Sequence, residues 1–243
     1  MTHSRWALER YGIKYEQNPH VPGFHRPVVL QAGSKSGQTP CLVTPEGCFD
    51  NSDSIMRWVD ARIPAGSPKL YPPESEAEVK ALCDRYDTIL GAATRVWAYF
   101  HLLDTPQLAA SMCDGCPSFE QTAFRWGAGF ALRMMLRSAF NLSHKHMSDA
   151  TDTIRAEFAS VSELLKDGRP FLCGSTLTAA DMCFVSLAAP VLAISYGPAP
   201  AFPDGRYPSE AMSVVNELSE TPAGKWAHRV WRDERNRVVQ SSV

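Results

Sequence analysis

Apolar residues recur along this chain at two different periods. Beyond residue 75 the spacing is helical. Leu82, Cys83, Tyr86, Ile89, Leu90, Ala93, Val96, Trp97 and Phe100 follow Val79 as one stripe at i, i+3, i+4 and i+7 over about six turns. The same period predicts a helix from Phe119 to Phe140, carried by Phe124, Phe130, Leu132, Met135 and Leu136. A third uses Ile154, Phe158, Val161 and Leu165 and stops at Gly168 and Pro170. A fourth runs from Thr178 toward Tyr196, closed by GPAPAFPDG, and two short helices follow at Ser209–Leu218 and Ala223–Arg235.

The first 65 residues are patterned otherwise. SRWALERYG is a short amphipathic helix ended by Gly12, and IKYEQN alternates as a strand does. PCLVT and GCF read as short strands joined by a Pro-Glu-Gly turn, and SDSIMRWVDA returns to the helical period. RIPAGSPKLYPPES holds four prolines and cannot be a helix interior. The expected organisation is a small α/β domain over residues 1–64, a linker over 65–75 and an all-α domain over 76–243.

Composition narrows the function classes. Hydrophobic residues make up 44% of the 243, and the formal net charge is −2, so no broad electrostatic pull toward nucleic acid is expected. No apolar run reaches the ~18 residues of a membrane span, and MTHSRWALER lacks an apolar signal core. Seven cysteines without a small-domain framework suit a reducing compartment, which makes the cytoplasm the default.

Two small features carry candidate chemistry. A proline directly ahead of an apolar strand belongs at the strand's first residue or on an edge, so Pro40 opens PCLVT. An ordinary trans proline would satisfy the dipeptide; a cis bond would turn the Thr39 N–H and C=O outward toward an extended ligand. Ser52, at a helix start after Asn51, reads as a cap whose hydroxyl and neighbouring N–H groups can receive a carboxylate, although a plain N-cap accounts for it equally. Further on, Thr178 and Asp181 have the spacing of a capping box.

The order helix, strand, helix, Thr39-Pro40, strand, turn, strand, Asn51-Ser52 helix, then linker and α domain resembles the cytosolic glutathione transferases. GRPFLCGSTLTAADMCFVSLAAPVL, with its Thr178–Asp181 box, and the tail TPAGKWAHRVWRDER are similar to bacterial-type members. The resemblance implies a thioredoxin-like domain that binds glutathione as co-substrate, without a metal. Pro40 would be the family's cis-proline, the Thr39 backbone would pair with the cysteinyl part, and Ser52 would hold the γ-glutamyl carboxylate. The family's acidic residue before that serine is Asn51 here, which keeps an acceptor without the charge. The implied reaction is attack on a small apolar electrophile or a thiol-dependent reduction by a homodimer, with Arg95 and Tyr99 facing the electrophile and Trp97 in the core. A non-catalytic binding or scaffold protein of the same fold remains the alternative.

The resemblance also locates a gap. RWALERYG matches the body of the family's first helix, so the catalytic Ser, Cys or Tyr position falls at about Met1, and the preceding strand has no residues left to form it. The expectation is a native start upstream, rather than a degenerate chain. Thr2, His3 and Ser4 could offer hydroxyls or a cation at that helix start, yet frayed terminal residues are the simpler expectation. Cys113 and Cys116 have C-x-x-C spacing but no second pair to complete a zinc set, and read as loop cysteines. Gly127 and Gly129 read as small residues for close helix packing.

Overall fold

The computed structural model describes residues 2–194 and 207–239. Helix α1 (Thr2–Arg10) is followed by an irregular segment, α2 (His25–Gln31), strands β1 (Leu42–Thr44) and β2 (Gly47–Phe49), and α3 (Ser52–Asp60). β1 and β2 pair antiparallel, Leu42 opposite Phe49 and Thr44 opposite Gly47, so residues 40–41 and 50–51 lie side by side at one end of the hairpin. They are the only paired strands among the described residues.

IKYEQN, expected as a strand, is not one. It keeps the period-two burial at Ile13, Lys14, Tyr15 and Glu16, but no neighbouring strand supplies a ladder among the described residues. Side chains hold this stretch and the residues after it: the Tyr15 hydroxyl donates to Glu9 at 2.7 Å and accepts from Arg5 Nε at 3.2 Å. The buried Glu120 accepts the Val21 N–H at 2.8 Å and lies 2.6 Å from His20 Nδ1.

The α region begins with α4 (Glu76–Arg85), which runs through a wide π turn at Tyr86–Leu90 into α5 (Gly91–Leu102), and continues with α6 (Pro106–Cys113), α7 (Ser118–Ala123) and α8 (Gly129–Ala139). The predicted stripe is buried at Val79, Cys83, Tyr86, Leu90, Val96 and Trp97, whereas Ile89, inside the wide turn, is 41% exposed. The helix carried by Ile154 to Leu165 and the one opening at Thr178 are both present, but the latter stops as an α-helix at Ala188 and tightens into a 3-10 turn at Ala189–Leu192 rather than running on toward Tyr196. Ser143 caps α9 (His144–Leu164), which ends near Gly168 at φ 81°. Next come α10 (Ala179–Ala188), α11 (Ser209–Glu220) and α12 (Pro222–Glu234), joined closely at Thr221. The GPAPAFPDG closure expected after Tyr196 lies outside the described residues.

The helix predicted over Phe119–Phe140 breaks in two. A six-residue helix at Ser118–Ala123 and an eleven-residue one at Gly129–Ala139 meet across a π turn where Gly127 sits at φ 137°. A Cβ at Gly127 would touch nothing, so that glycine serves backbone conformation rather than packing. The break re-aims the apolar face. Leu132 and Leu136 are buried, but Phe130 and Met135 are more than half exposed.

One hydrophobic cluster unites the fold. Trp6, Ile55 and Met56 from α1 and α3 join Phe158 of α9 and Phe184 of α10, and Leu70 and Tyr71 of the proline-rich stretch are buried in it. Leu70 also accepts the Ala179 N–H at 2.9 Å, which ties that stretch to the start of the central helix. The last described residues close over α1. Arg10 pairs with Glu234 at 2.8 Å, Trp6 Nε1 donates to the Glu234 carbonyl at 3.3 Å, and Val239 N–H donates to Arg10 O at 2.7 Å.

The capping box is formed on α10, whose residues are nearly all buried. Asp181 accepts from Thr178 N–H at 2.7 Å, Thr178 Oγ1 at 2.8 Å and Leu172 N–H at 2.7 Å. Thr178→Ala is expected to lower stability by about 1 kcal/mol or more, since the buried helix start cannot turn to water for a replacement partner. A chemical-denaturation midpoint equal to wild type would show that the hydroxyl contributes nothing.

Candidate functional site

The hairpin brings the two predicted site features to one end. Thr39-Pro40 is cis, as expected for the fold, and enters β1 through Cys41. Thr39 is exposed, and neither its N–H nor its C=O makes a hydrogen bond among the described residues. Such an edge can receive an extended ligand in the manner of an added strand.

At the neighbouring chain position, α3 starts differently from the sequence reading. Ser52 is the first helical residue, and Asn51 is the cap, its Oδ1 accepting the Ser54 N–H at 2.8 Å. The acceptor that Asn51 retains is therefore already engaged in closing the helix. Ser52 is left half-exposed, and with the N–H groups of the first turn it forms a small donor cluster at the positive end of the helix dipole. Asp53 does not intrude on it, because its carboxylate is taken by Arg57 at 3.1 Å and the Tyr71 hydroxyl at 3.0 Å.

The residue that fixes this end was missed from sequence. Asp50 accepts from Ser34 Oγ and from the Lys35 and Ser36 N–H groups, each at 3.0 Å, and thereby pins the turn that leads into Thr39. Those donors, the Ser36 N–H foremost, hold its carboxyl down at about 2. The signal available was GSKSG, a serine–glycine turn whose N–H groups need an acceptor, together with an aspartate at the end of the second strand.

Cys41 and Cys48 stand with their sulfurs 2.9 Å apart beside the same end, and burial, reinforced by Cys48, pushes the Cys41 thiol up to about 12. At the start of α1, His3 and Ser4 are not frayed but 2% exposed. Burial drives the His3 imidazole down to about 3, so it is neutral and cannot be the cation considered for that position. Met1 lies outside the described residues.

Arg95 and Tyr99 come together on a different feature. The Tyr99 ring lies 5.1 Å from Phe140, and the Arg95 guanidinium stands 5.9 Å over the same ring. No hydrogen bond, ion pair or ring contact among the described residues links either to Thr39, Asn51 or Ser52. Trp97 is wholly buried, as expected for a core residue. Cys113 and Cys116 flank the left-handed Gly115, with both thiols raised by burial and Cys116 Sγ donating to the Met112 carbonyl at 3.5 Å. No described helix is long and apolar enough to cross a membrane.

Comparisons with known proteins bear on the fold that carries these residues. Residues 2–68 match the profile of the glutathione S-transferase N-terminal domain. Solved structures similar to the chain include a glutathione S-transferase of Ceriporiopsis subvermispora in complex with glutathione, at 20% identity and TM-score 0.54 over 99% of this chain and 91% of that one. A glutathione S-transferase from Rhodospirillum rubrum is 17% identical, covering 93% and 86% with TM-score 0.56. The Tau class enzyme of mango is 14% identical, covering 96% and 84% with TM-score 0.57. No curated protein matches the chain.

Proposed function

We propose that the protein, whose residues 2–68 match the glutathione S-transferase N-terminal domain and whose fold is similar to that of solved glutathione S-transferases, binds glutathione at the Thr39–Ser52 end of the hairpin. The observation that carries the reading is that the exposed, unpartnered Thr39 backbone and the Ser52 donor cluster lie just beyond the same end of the β1–β2 hairpin. Thr39 would pair with the cysteinyl backbone, and Ser52 with the first turn of α3 would take the γ-glutamyl carboxylate. Asn51, committed as a cap and uncharged, offers less to the ammonium group than a carboxylate would.

In this reading the bound thiol attacks a small apolar electrophile that reaches toward Arg95 and Tyr99, in a cytoplasmic homodimer of two-domain chains. A glutathione-binding role without conjugation is the second reading. Burial favours it: the Cys41 thiol beside the hairpin end is pushed up to about 12, and the His3 imidazole at the start of α1 is driven down to about 3. A glutathione thiol with a cysteine-like pKa near ~8.5 is only a few per cent thiolate at pH 7.

Calorimetric titration with glutathione tests the site. Ser52→Ala is expected to weaken binding roughly tenfold, the size of one hydrogen bond to a charged group. Equal affinity in the two proteins would place the carboxylate elsewhere. Assay of the same protein with a chlorinated aromatic separates the readings, since the binding role predicts saturable glutathione uptake without conjugation above the uncatalysed rate.

A further inference from the structure

We propose that His3, Asp87 and Cys183 form a zinc site where α1, the wide turn between α4 and α5, and the central helix α10 meet. A ring nitrogen of His3, a carboxylate oxygen of Asp87 and the Cys183 sulfur all lie within 4.8 Å of one another. In a tetrahedral zinc site the bond lengths place ligand atoms roughly 3.3–3.7 Å apart, so side-chain rotation of about an ångström completes the approach.

A second observation points to an occupant. His3 is 2% exposed, yet neither ring nitrogen has a hydrogen-bond partner among the described residues. A buried imidazole without partners is costly and calls for an ordered water or an ion. With the sulfur of Cys183 and the carboxylate oxygen of Asp87, its ring nitrogen makes a donor set typical of zinc rather than of magnesium or calcium. Binding would release the Cys183 thiol proton to solvent as the thiolate takes the metal.

The backbones that carry the three ligands are fixed by the core, since α1 and the wide turn both pack directly on α10. Wide turns inside helices recur at functional sites, and this one carries Asp87 on the exposed side of the cluster. Three protein ligands leave a fourth coordination position, on the solvent side for a water or toward Cys83, whose thiol hydrogen-bonds Cys183. The site does not depend on glutathione binding and shares no residue with Thr39–Ser52.

The test uses the full chain, stripped with a chelator and titrated with cobalt(II) and then zinc(II). One cobalt per chain is expected, with sulfur-to-cobalt charge-transfer absorption that zinc abolishes, and a thermal midpoint raised by zinc. Cys183→Ser and His3→Gln should lose the absorption, and Cys113→Ser with Cys116→Ser should keep it. Asp87→Asn, on the exposed side, should weaken cobalt binding at least tenfold and decides the matter if the buried variants do not fold. Substoichiometric cobalt, absorption unchanged in Asp87→Asn, or absorption lost with Cys113 and Cys116 instead would each overturn the assignment.

Discussion

Gly224→Ala is expected to destabilise the protein by about 3 kcal/mol, the upper part of the range for overpacking. A Cβ at residue 224 would overlap the Leu218 carbonyl oxygen and stand 2.9 Å from both the Leu218 carbonyl carbon and Ser219 Cα. These are backbone atoms, so no side chain can swing aside. The carbonyl is also held in place, because the Thr221 hydroxyl donates to it at 2.6 Å while accepting the Gly224 N–H at 3.0 Å. Relief requires α12 to move from α11, and α12 carries the buried Ala223, Ala227 and Val230. Urea denaturation of the variant measures the effect; a loss under about 1 kcal/mol would mean that the joint yields cheaply.

Asp181→Ala should cost about 3 kcal/mol at pH 7, because it orphans the Leu172 and Thr178 N–H groups together inside the core. The loss should grow as the pH falls toward 5. Burial lifts the Asp181 carboxyl to about 6, against the hydrogen bonds from Leu172 and Thr178 that pull it down. Unfolded, it titrates near ~3.9. The folded pKa is the higher one, so the folded state binds the extra proton between the two values. That stabilisation is complete below about pH 4 and is lost as the pH rises through about 6. The alanine variant has no such proton. Stability curves at pH 5, 6 and 7 for both proteins should therefore diverge toward acid, and parallel curves would show that Asp181 titrates without burial strain.

Helices bounded by sharp local signals were legible from sequence. Gly168 states where α9 ends, and Thr178 with Asp181 states where α10 starts; the Ser143 cap that opens α9 was not read. The Phe119–Phe140 stretch misled because a glycine is compatible with a helix, and only φ 137° at Gly127 reveals the turn. IKYEQN misled for the opposite reason: alternation reports which side chains face inward, whereas a strand also needs a partner for its backbone. Turn and cap chemistry singled out Thr39, Pro40 and Ser52, and the structure brings them to one end of the hairpin with Thr39-Pro40 cis. The capping role passed to Asn51, since either residue could start the helix by composition. The metal ligands could not have been read at all. They lie at residues 3, 87 and 183, and no spacing rule spans three elements that meet only in the packed core.

The clasp between Arg10 and Glu234 sets a timetable for synthesis. The two residues are 224 positions apart, and at ~5–20 residues per second a ribosome needs roughly 10 to 45 seconds to cover them. Throughout that interval Trp6, fully buried in the finished protein, waits without the α12 surface that covers it. The final docking of the N-terminal segment therefore comes only after nearly the whole chain has been made.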